Sequence, residues 1–422
     1  MSTYRNRSVL ITGVIAVGAI GAITASTVTA AIPASKAQTS HFAFTGDAFG
    51  SRTQASTEVA SGRSALLTLK CTMKTGVHES NQTDGATNSE LGHVGSVTTT
   101  TSSRPAGKSP AASVTTATIH GMNLLGGVIK ATAVRATSVV TTTGKRTGTT
   151  TFTGLTIAGH KEAYSPKPNQ TYQIPEVGKI ELNAQKATHV NGSTGLIVNG
   201  LELTMGASNL GGLPTKTQVV LAHAKSGVEP VGLRTLHGSG YGSAVMNNNV
   251  VTSGRTFYQP LPCQGTQGKT RRNTGGAIQQ AAVLSSGTVA STATGNHTAT
   301  SDVGTTTSTV HNVSLIGGVV SASAIEAVAR VTDRSGKITT GEQGSKFVGL
   351  TVDGKKMPNN VKPNTKISLG PLGTLWLNRV IRTSSGRTIA IHMIDLHLNK
   401  PEGGVAKGAD VVVANADVGV RH

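Results

Sequence analysis

A long internal repeat is the feature that most constrains how this chain can fold. Residues 118–134 carry a His, an apolar pair, a Gly-Gly pair and then a run of small and β-branched residues, and residues 310–324 carry the same succession. Other matches between the two halves keep a nearly constant shift of 192 or 195 residues along most of the chain. Such a shift indicates tandem duplication of a domain-sized unit, because a solenoid would repeat with a far shorter period.

The matched positions divide the chain into two copies. They include Ser61-Gly62-Arg63 with Ser253-Gly254-Arg255, Cys71 with Cys263, residues 152–157 with 347–352, and residues 219–224 with 411–416. We place the boundary between the copies within residues 229–233. The first copy is therefore predicted to span residues 38–230 and the second residues 231–422, after an N-terminal signal segment of residues 1–37.

β-Strands are predicted throughout each copy, because apolar residues alternate with polar ones or form short runs that Gly, Pro and Asn separate. In the first copy these segments are residues 129–140, 150–157, 172–182, 196–203 and 218–224. Residues 319–331 are Ala-rich and could form a helix, but the matching residues 128–140 are rich in Val and Thr, which favour strands. The pairs Gly126-Gly127 and Gly317-Gly318 suit a β-bulge or a close backbone approach.

The predicted fold is all-β, with two tandem homologous domains that are each an antiparallel β-sandwich. A parallel β-helix is the alternative, since chains rich in Gly, Thr, Asn and Val also form such coils. It would require a coil period of roughly 18 to 25 residues, in the range of short-repeat solenoids. No such period occurs within a copy. Residues 78–113 are polar and are predicted to form an excursion or a mobile loop.

The N-terminus has the pattern of a secretory signal peptide. Arg5 and Arg7 precede an uncharged apolar run over residues 9–23, which is shorter than the roughly 20 residues that a membrane-spanning helix needs. Small residues follow, so cleavage is predicted after Ala37, with cleavage after Ala30 as the alternative. The C-terminus shows neither a hydrophobic tail nor a sorting motif, so the mature protein is expected to be released or held non-covalently at the cell surface.

Basic residues outnumber acidic ones two to one. The chain has 38 Lys and Arg against 19 Asp and Glu, and loss of Arg5, Arg7 and Lys36 with the signal lowers the formal charge only from +19 to +16. This charge would attract polyanions in a salt-dependent way, although solubility alone is a competing explanation.

The densest basic group, Lys269, Arg271 and Arg272, lies in a polar stretch that resembles a loop, and it is the candidate polyanion-binding group. For an exported protein the available polyanions are anionic wall polymers, acidic lipids, extracellular DNA and acidic polysaccharide. Modules that bind single-stranded nucleic acid combine charge with stacking aromatics. Aromatic residues are only 3% of this chain, which argues against a dedicated nucleic-acid binder.

Several motifs of both copies resemble one family of exported proteins. In the first copy they are Leu-Leu-Gly-Gly-Val-Ile before an alternating strand, Phe-Thr-Gly-Leu-Thr-Ile-Ala-Gly, Gly-Lys-Ile-Glu-Leu-Asn, Gly-Leu-Ile-Val-Asn-Gly-Leu-Glu-Leu and the closing Val-Val-Leu-Ala-His-Ala-Lys-Ser-Gly-Val. In these motifs the chain is similar to the choice-of-anchor P family of secreted actinobacterial proteins. The resemblance implies a surface-associated, β-rich domain attached through a C-terminal anchor, with no functional residues to carry over. This chain departs from the family by carrying the unit twice and by lacking an evident anchor, which puts covalent attachment in question.

Motifs for catalysis, cofactors and metals identify no site. Gly268-Lys269-Thr270 resembles the end of a phosphate-binding loop, but Cys263 stands where the first Gly of that loop is required. No nucleophile-elbow motif occurs, and His392 and His397 are five residues apart in a predicted strand, on opposite faces. Two cysteines are too few for a thiolate zinc site. We therefore predict no catalytic, cofactor-binding or metal-binding residues and no cofactor, and we expect the protein not to be an enzyme.

Two polar positions recur between the copies. His120 and His311 precede the glycine pairs. Either they are pH-sensitive or metal-binding residues shared by the copies, or they are strand-end histidines hydrogen-bonded to the backbone. Glu202 and Asp395 are the one clearly matched acid pair. Two-carboxylate hydrolysis needs a second acid within about 5 to 10 Å, and none recurs nearby. A solvated strand face or a basic partner is the simpler interpretation of these acids.

Cys71 and Cys263 are the only cysteines, and they occupy matching places in the two copies. Export places them in an oxidising compartment, where cysteines tend to pair. If the copies pack about a local two-fold axis, equivalent residues near that axis face each other, and one disulfide joins the copies. Head-to-tail packing would instead keep the two thiols far apart.

The function predicted from the sequence is that of a secreted, non-enzymatic structural or binding protein at the cell surface or wall. Its partner would be an anionic cell-wall polymer or polysaccharide and not a specific nucleic acid, and no transmembrane segment is expected after signal cleavage. The oligomeric state is left open. The alternative is an extracellular carbohydrate-active enzyme or other hydrolase with a shallow site. Such enzymes usually need substrate-stacking aromatics, and Trp376 is the only tryptophan.

Overall fold

The computed structural model describes residues 39–54, 63–88, 91–190, 192–247, 250–280, 282–298 and 300–421. Over these residues the protein consists of four sheets whose neighbouring strands run antiparallel. The predicted all-β, sandwich-like fold is therefore confirmed, and the parallel β-helix is excluded. The predicted signal segment lies outside the described residues.

The first sandwich contains strands β1 to β14. They are β1 (Thr39–Gln54), β2 (Leu67–Lys74), β3 (His78–Thr83), β4 (Ala86–Asn88), β5 (Gly92–Arg104), β6 (Ala112–Leu124), β7 (Ile129–Thr141), β8 (Arg146–Thr153), β9 (Thr156–Ile157), β10 (His160–Lys161), β11 (Gln170–Ile174), β12 (Gly178–Val190), β13 (Ser193–Met205) and β14 (Gln218–Pro230). Sheet I has the order β11-β12-β13-β14-β1-β2. Sheet II has the order β10-β9-β7-β6-β5-β3, with β4 against β5 and β8 against β7.

The second sandwich contains strands β15 to β31. They are β15 (Thr235–Asn247), β16 (Val250–Gly254), β17 (Gln259–Pro260), β18 (Arg271–Gly275), β19 (Ile278–Gln280), β20 (Leu284–Ser286), β21 (Val289–His297), β22 (Ser301–Leu315), β23 (Val320–Arg334), β24 (Lys337–Gly341), β25 (Lys346–Val348), β26 (Thr351–Val352), β27 (Lys355–Lys356), β28 (Thr365–Ser368), β29 (Gly373–Arg382), β30 (Thr388–Leu398) and β31 (Ala409–Arg421). Sheet III has the order β16-β15-β31-β30-β29-β28, with β17 against β15. Sheet IV has the order β18-β21-β22-β23-β26-β27, with the short strands β19, β20, β24 and β25 along its edges.

The strand order of the second sandwich repeats that of the first. Sheet III read from β28 to β15 corresponds to sheet I read from β11 to β1, and the short strand β17, which pairs with β15, takes the place of β2. Sheet IV read from β27 to β18 corresponds to sheet II read from β10 to β3. In both sandwiches the first and last long strands pair with each other, β1 with β14 and β15 with β31. Each sandwich has its own large hydrophobic cluster, formed by residues from both of its sheets.

The matched glycine pairs form tight turns between paired strands, and the predicted bulge is wrong. The short 3-10 helix η1 (Leu125–Gly127) joins β6 to β7, which pair with each other, and η2 (Ile316–Gly318) joins β22 to β23 in the same way. All four glycines have positive φ, from 60° to 100°, which glycine adopts without steric cost. A third short helix, η3 (Gly370–Leu372), precedes β29.

Other strand predictions have mixed outcomes. The Ala-rich residues 319–331 lie largely in β23, a strand as predicted, whereas a turn at residues 175–177 divides the predicted strand 172–182 into β11 and β12. The predicted loop over residues 78–113 is wrong for most of the segment, which forms β3, β4, β5 and the start of β6, whereas residues 105–111 do form a loop between β5 and β6. Thr99, Thr101 and Ser103 are fully buried at alternate positions. Their polarity suggests a loop, but the hydroxyls of Thr99 and Ser103 donate to backbone carbonyls and can therefore be buried.

The two sheets of each sandwich lie close together because small residues face each other across the core. A Cβ atom added at Gly240 would lie 2.1 Å from the Thr307 carbonyl oxygen, so no larger residue fits at that position. Buried hydroxyls reach the backbone of the opposite sheet: Ser113 donates to the Thr45 carbonyl at 2.7 Å, and Ser308 donates to the Tyr241 carbonyl at 2.8 Å. The abundance of Ser and Thr is thus compatible with a well-packed interior.

Candidate functional site

The two sandwiches meet along a seam, and Cys71 and Cys263 form a disulfide across it. Their Cα atoms are 5.4 Å apart, a separation typical of disulfides. Both cysteines are buried in a small cluster with Ala43, Met73 and Val231. The structure thus contains the disulfide that the sequence predicts between matched positions.

Polar contacts flank the disulfide, and they differ between the two sandwiches. Two residues of the second sandwich contact Lys70 of the first. Asp417 Oδ2 lies 2.8 Å from Lys70 Nζ, and Arg421 Nη1 donates to the Lys70 carbonyl at 2.6 Å. At the first sandwich, Glu229 Oε1 accepts a hydrogen bond from Gln264 N at 3.1 Å. Glu229 pairs with Ala43 in the first sandwich as Arg421 pairs with Thr235 in the second. One matched position therefore holds an acid in the first sandwich and a base in the second.

A depression of about 840 Å³, which we name the seam groove, runs between β2 of the first sandwich and β15 and β31 of the second. Its charged lining residues are Lys70, Lys74, Arg255, Arg387 and Arg421, with Glu79 and Asp417. Lys70 neutralises Asp417, while Lys74 and Arg387 are exposed. The seam groove therefore has an excess of positive charge at its surface.

The charge of the seam groove changes little around neutral pH. Burial would raise the pKa of Asp417, but Lys70 and a hydrogen bond from Ser239 outweigh it and hold this pKa below its ordinary value. Burial, together with Arg421 and Lys70, lowers the pKa of His237 to about 3. His237 is therefore neutral, with Nε2 3.2 Å from Thr388 Oγ1. The positive charge comes from Lys and Arg, which stay protonated at neutral pH.

A second depression, which we name the sheet I groove, lies on the outer face of sheet I and has a volume of about 660 Å³. Tyr258 and Pro260 of the second sandwich contribute to its lining. A chain of polar side chains crosses its floor. His223 Nδ1 lies 2.6 Å from Asn199 Oδ1 and His223 Nε2 lies 3.1 Å from Asp47 Oδ1. Asn199 Nδ2 in turn donates to Glu202.

An interruption of the strand pairing places these side chains on one face. Asn199 and Glu202 are three residues apart, so regular alternation would put them on opposite faces. One residue in each strand is skipped by the pairing: Gly50, Asn183, Gly200 and Ala222. Around Ala222, which has a φ of 51°, Leu221 and Ala222 both join the core. The residues on either side, Val220 and His223, then both line the sheet I groove.

Burial and charge act against each other in this polar chain. Burial would raise the pKa of Asp47, but Lys225 and His223 outweigh it and hold this pKa well below its ordinary value. Burial lowers the pKa of His223, and the hydrogen bond and charge of Asp47 oppose that shift. The imidazole ring is also stacked on Phe49, with ring centroids 4.3 Å apart. Among the polar side chains on the floor of the sheet I groove, Asp47 is therefore the most firmly ionised group.

The matched face of sheet III carries a different set of ion pairs. Asp395 Oδ2 accepts from Arg379 Nη1 at 2.7 Å and lies 2.8 Å from His392 Nδ1. Burial would raise the pKa of Asp395, but His392 and Arg379 outweigh it and lower this pKa. Trp376 is flanked by Arg379 and by Lys366, which lie 5.4 and 5.2 Å from the ring centre. Asp395 is only 1% exposed. Its contacts with Arg379 and His392 agree with the simpler interpretation, in which this acid is the partner of a basic side chain.

The predicted basic group does not form one surface. Lys269 is exposed in a turn, whereas Arg271 and Arg272 begin strand β18 and pair with β21, so the loop interpretation is wrong for both arginines. Successive residues of a strand point to opposite faces. Arg272 is exposed, and Arg271 lines a cavity of about 210 Å³ at the seam, together with Glu229. The matched histidines His120 and His311 are exposed within β6 and β22.

Sequence reasoning missed the groups that the seam brings together. Lys74 and Arg387 carry no motif, and they lie more than 300 residues apart in the chain. The match of Arg63 with Arg255 was a usable signal, since both arginines lie at the seam. Only the way in which the two sandwiches pack reveals the grooves.

No metal site emerges from the part of the chain that the structure covers, because no three His, Cys, Asp or Glu side chains there are grouped so that they could hold an ion. In the same ranges no helix has the length and apolarity to cross a bilayer. No protein-family model, curated protein or solved structure matches the chain. The interpretation of the site therefore depends on its own geometry.

Proposed function

We propose that the protein is an exported, non-enzymatic binding protein that holds an anionic cell-wall polymer or polysaccharide in the seam groove. The observation that carries this proposal is the charge of that groove, where five basic side chains face two acidic ones. Clefts lined by one sign of charge attract ligands of the opposite sign. The volume of about 840 Å³ falls within the usual range of ligand pockets.

The exposed cations of the groove come from both sandwiches. Lys74 ends β2 in the first sandwich, and Arg387 precedes β30 in the second. A polymer lying in the groove would therefore contact both halves at once. This arrangement accounts for a covalent link between the halves, since the disulfide keeps the two sources of charge together.

Export and family membership are part of the proposal. Disulfides persist mainly in oxidising compartments, so the Cys71–Cys263 bond supports an extracellular location. The motif resemblance to the choice-of-anchor P family supports the same location. Attachment would then depend on the polymer bound in the groove.

The carboxylates at and near the matched positions are engaged by other side chains, which favours a binding role over hydrolysis. Glu181, which lies opposite Glu202 in sheet I, forms an ion pair with Lys179. Asp395 is buried and engaged by Arg379 and His392, and Glu202 accepts a hydrogen bond from Asn199. A hydrolase of the two-carboxylate type would need two acids facing one substrate bond. These two acids lie instead on the outer faces of different sandwiches, on β13 and β30.

The test is binding to an immobilised poly(glycerol phosphate), measured at low salt and at about 0.5 M salt, where the Debye length is only a few ångströms. Binding should fall steeply with salt, because charge supplies the attraction. The double variant Lys74→Gln/Arg387→Gln should weaken binding about ten-fold at low salt, which is the combined effect of two exposed ionic contacts.

The matched control is Lys355→Gln/Lys356→Gln, which removes the same charge from the exposed strand β27. This control should bind nearly as well as the unmodified protein. Equal weakening in the two double variants would mean that net charge alone is responsible, and the assignment to the seam groove would fall. Binding that does not change with salt would reject an ionic basis altogether.

A further inference from the structure

Three arginines converge where the two sandwiches meet, on the side chains of three aromatic residues. The guanidinium carbon of Arg63 lies 5.2 Å from the centre of the Phe49 ring and 5.5 Å from that of Tyr258. Arg52 lies 5.8 Å from the centre of the same Phe49 ring. The aromatic faces therefore hold these two cations side by side.

Arg255 joins them from the second sandwich. Its guanidinium carbon lies 5.9 Å from the centre of the Tyr258 ring, which it shares with Arg63, and 5.7 Å from the centre of Tyr241. Arg63 and Arg255 are the matched arginines of the two halves. We name Arg52, Arg63 and Arg255 the arginine cluster.

Within the described residues no direct ion pair balances the charge of the arginine cluster, although the carboxylates of Glu202 and Asp47 act on Arg52 at longer range. Among the described residues no carboxylate forms a salt bridge with any of the three side chains. Arg255 Nη1 donates to Thr68 Oγ1 at 2.9 Å, but Nε of Arg255 and Nε of Arg52 are buried without a hydrogen-bond acceptor. Burial and the neighbouring Arg63 lower the pKa of Arg52 to about 10, so it is still charged at neutral pH. Buried charged donors without acceptors are costly, which points to an anionic ligand.

The space between these arginines is small. All three side chains line a cavity of about 30 Å³, together with Tyr258 and Asn273. A water molecule needs about 10 to 15 Å³ by the same kind of measure. By that measure the cavity holds about two or three oxygen atoms, so a phosphate group would enter it with only part of its oxygens, and a sugar ring would not fit.

We propose that the arginine cluster is an oxyanion site that binds one tetrahedral phosphate group. The cavity is lined by Arg52 of β1, by Arg63, which precedes β2, and by Arg255, which follows β16 in the second sandwich. A tetrahedral oxyanion can accept hydrogen bonds on a different oxygen from each of them. A planar carboxylate matches the fork of one guanidinium at a time. A bound phosphate balances guanidinium charges that have no salt-bridge partner among the described residues.

This inference deepens the proposed function and rests on it for the source of the phosphate. Arg255 also lines the seam groove, and Arg52 and Arg63 also line the sheet I groove. A phosphodiester of a bound polymer could therefore reach the cluster from a neighbouring groove. Free inorganic phosphate is the other source of the same chemistry.

The experiment titrates the mature protein with inorganic phosphate and, at equal ionic strength, with chloride, using calorimetry and the melting temperature. Phosphate should bind saturably and raise the melting temperature more than chloride does. Arg52→Gln should weaken phosphate binding about ten-fold or more, the loss expected for one charge-assisted hydrogen bond. Without phosphate, the melting temperature of Arg52→Gln should change little, because the loss of repulsion from Arg63 is offset by the loss of the contact with Phe49 and of attraction to Glu202 and Asp47. Arg135→Gln, which removes an exposed charge from sheet II, should leave phosphate affinity unchanged.

The outcomes separate the oxyanion site from the polymer-binding function. Equal effects of phosphate and chloride would overturn the site, as would a lower melting temperature of Arg52→Gln with unchanged phosphate affinity. Binding of free phosphate without binding of a glycerol phosphate oligomer would uphold the site and reject the polymer as its ligand. Oligomer binding that Arg52→Gln leaves intact, with no response to free phosphate, would uphold the polymer function and reject the site.

Discussion

The outer faces of sheets I and III share one backbone pattern but exchange their side chains. In sheet I, Asn199 of β13 pairs with His223 of β14, and in sheet III the same two places hold His392 and Asn415. The histidine and the asparagine are thus interchanged between neighbouring strands. The acid three residues further along is Glu202 in one sheet and Asp395 in the other. The backbone tolerates this exchange because the side chains lie on the outer face, while small and β-branched residues maintain the core.

The seam shows the same divergence in its charges. Lys225 pairs with Asp47 of its own sandwich, at 3.6 Å. At the matched place in the second sandwich, Asp417 pairs with Lys70 of the other sandwich, at 2.8 Å. The ion pair of the first half is therefore internal, while that of the second half joins the two sandwiches. Two halves of equal topology thus make unequal contributions to their own docking.

The largest change in unfolding free energy should come from removing the disulfide between the two halves. The disulfide closes a loop across a sequence separation of 192 residues. The variant Cys71→Ser/Cys263→Ser should lose about 3 to 5 kcal/mol of unfolding free energy, because the unfolded chain regains the entropy of an open loop. Urea denaturation with and without reductant measures this loss, and reductant should not affect the variant. If reduction left the unfolding midpoint of the unmodified protein in place, the seam contacts alone would hold the halves together.

The ion pair across the seam should matter more than its internal counterpart. Asp417→Asn leaves Lys70 without its partner and should cost about 3 kcal/mol. Lys225→Gln should cost less than about 1 kcal/mol, since the Lys225 side chain is 36% exposed. Because the folded pKa of Asp417 is lowered, its contribution is present above the ordinary value of 3.8 and is lost as the pH falls through the folded pKa. Denaturation at neutral pH, repeated at about pH 3, gives the comparison. Equal costs for the two variants would show that the contact across the seam has no special role.

Glu229 should make stability pH-dependent between pH 4 and pH 8, whereas Arg421 at the matched position of the second half should not. Burial raises the pKa of Glu229 from 4.5 to about 7. Below pH 4.5 the carboxyl is neutral in both folded and unfolded protein, and as the pH rises towards 7 the unfolded state ionises first, so stability falls. Glu229→Gln cannot ionise and should gain about 3 kcal/mol relative to the unmodified protein between pH 4 and pH 8. Arg421→Gln, at the matched position, is the control and should show a constant cost over this range. A pH-independent difference for Glu229→Gln would place the carboxylate in contact with water or with a cation.

Much of the fold was predictable from the sequence, because patterns of two kinds agreed. Alternation identified β-strands such as β7 and β23, and the matched halves indicated that both copies share one architecture. The segment 78–113 was missed because Thr and Ser were interpreted as solvent-facing residues. In the structure their hydroxyls donate to backbone carbonyls inside the sandwich, and a hydropathy argument does not include that contact.

The candidate site was far less predictable. Asn199 and Glu202 share a face only because the pairing skips Gly200, an irregularity that strict period-two reasoning excludes. The seam groove and the arginine cluster join residues that are distant in the chain, such as Arg52 and Arg255. The predicted group Lys269, Arg271 and Arg272 is dense in sequence, but a strand sends neighbouring residues to opposite faces. Basic residues that are close together in the sequence therefore need not form one basic surface on a β-sheet.

The smallest effect should come from His223, and its sign tests how the polar chain is protonated. Burial lowers the pKa of His223, so the folded protein favours the neutral ring. The unfolded state takes up a proton below about pH 6.5, and the unmodified protein should therefore lose up to about 1 kcal/mol between pH 7 and pH 5. His223→Asn, which installs the residue found at the matched Asn415, should remove that loss, as equilibrium unfolding at the two pH values would show. The hydrogen bonds argue in the other direction, because both ring nitrogens lie close to oxygen atoms, Oδ1 of Asn199 and Oδ1 of Asp47, and only an imidazolium can donate to both. If the unmodified protein instead gained stability over the variant on acidification, then Asp47 would outweigh burial, and the imidazolium would be the folded form.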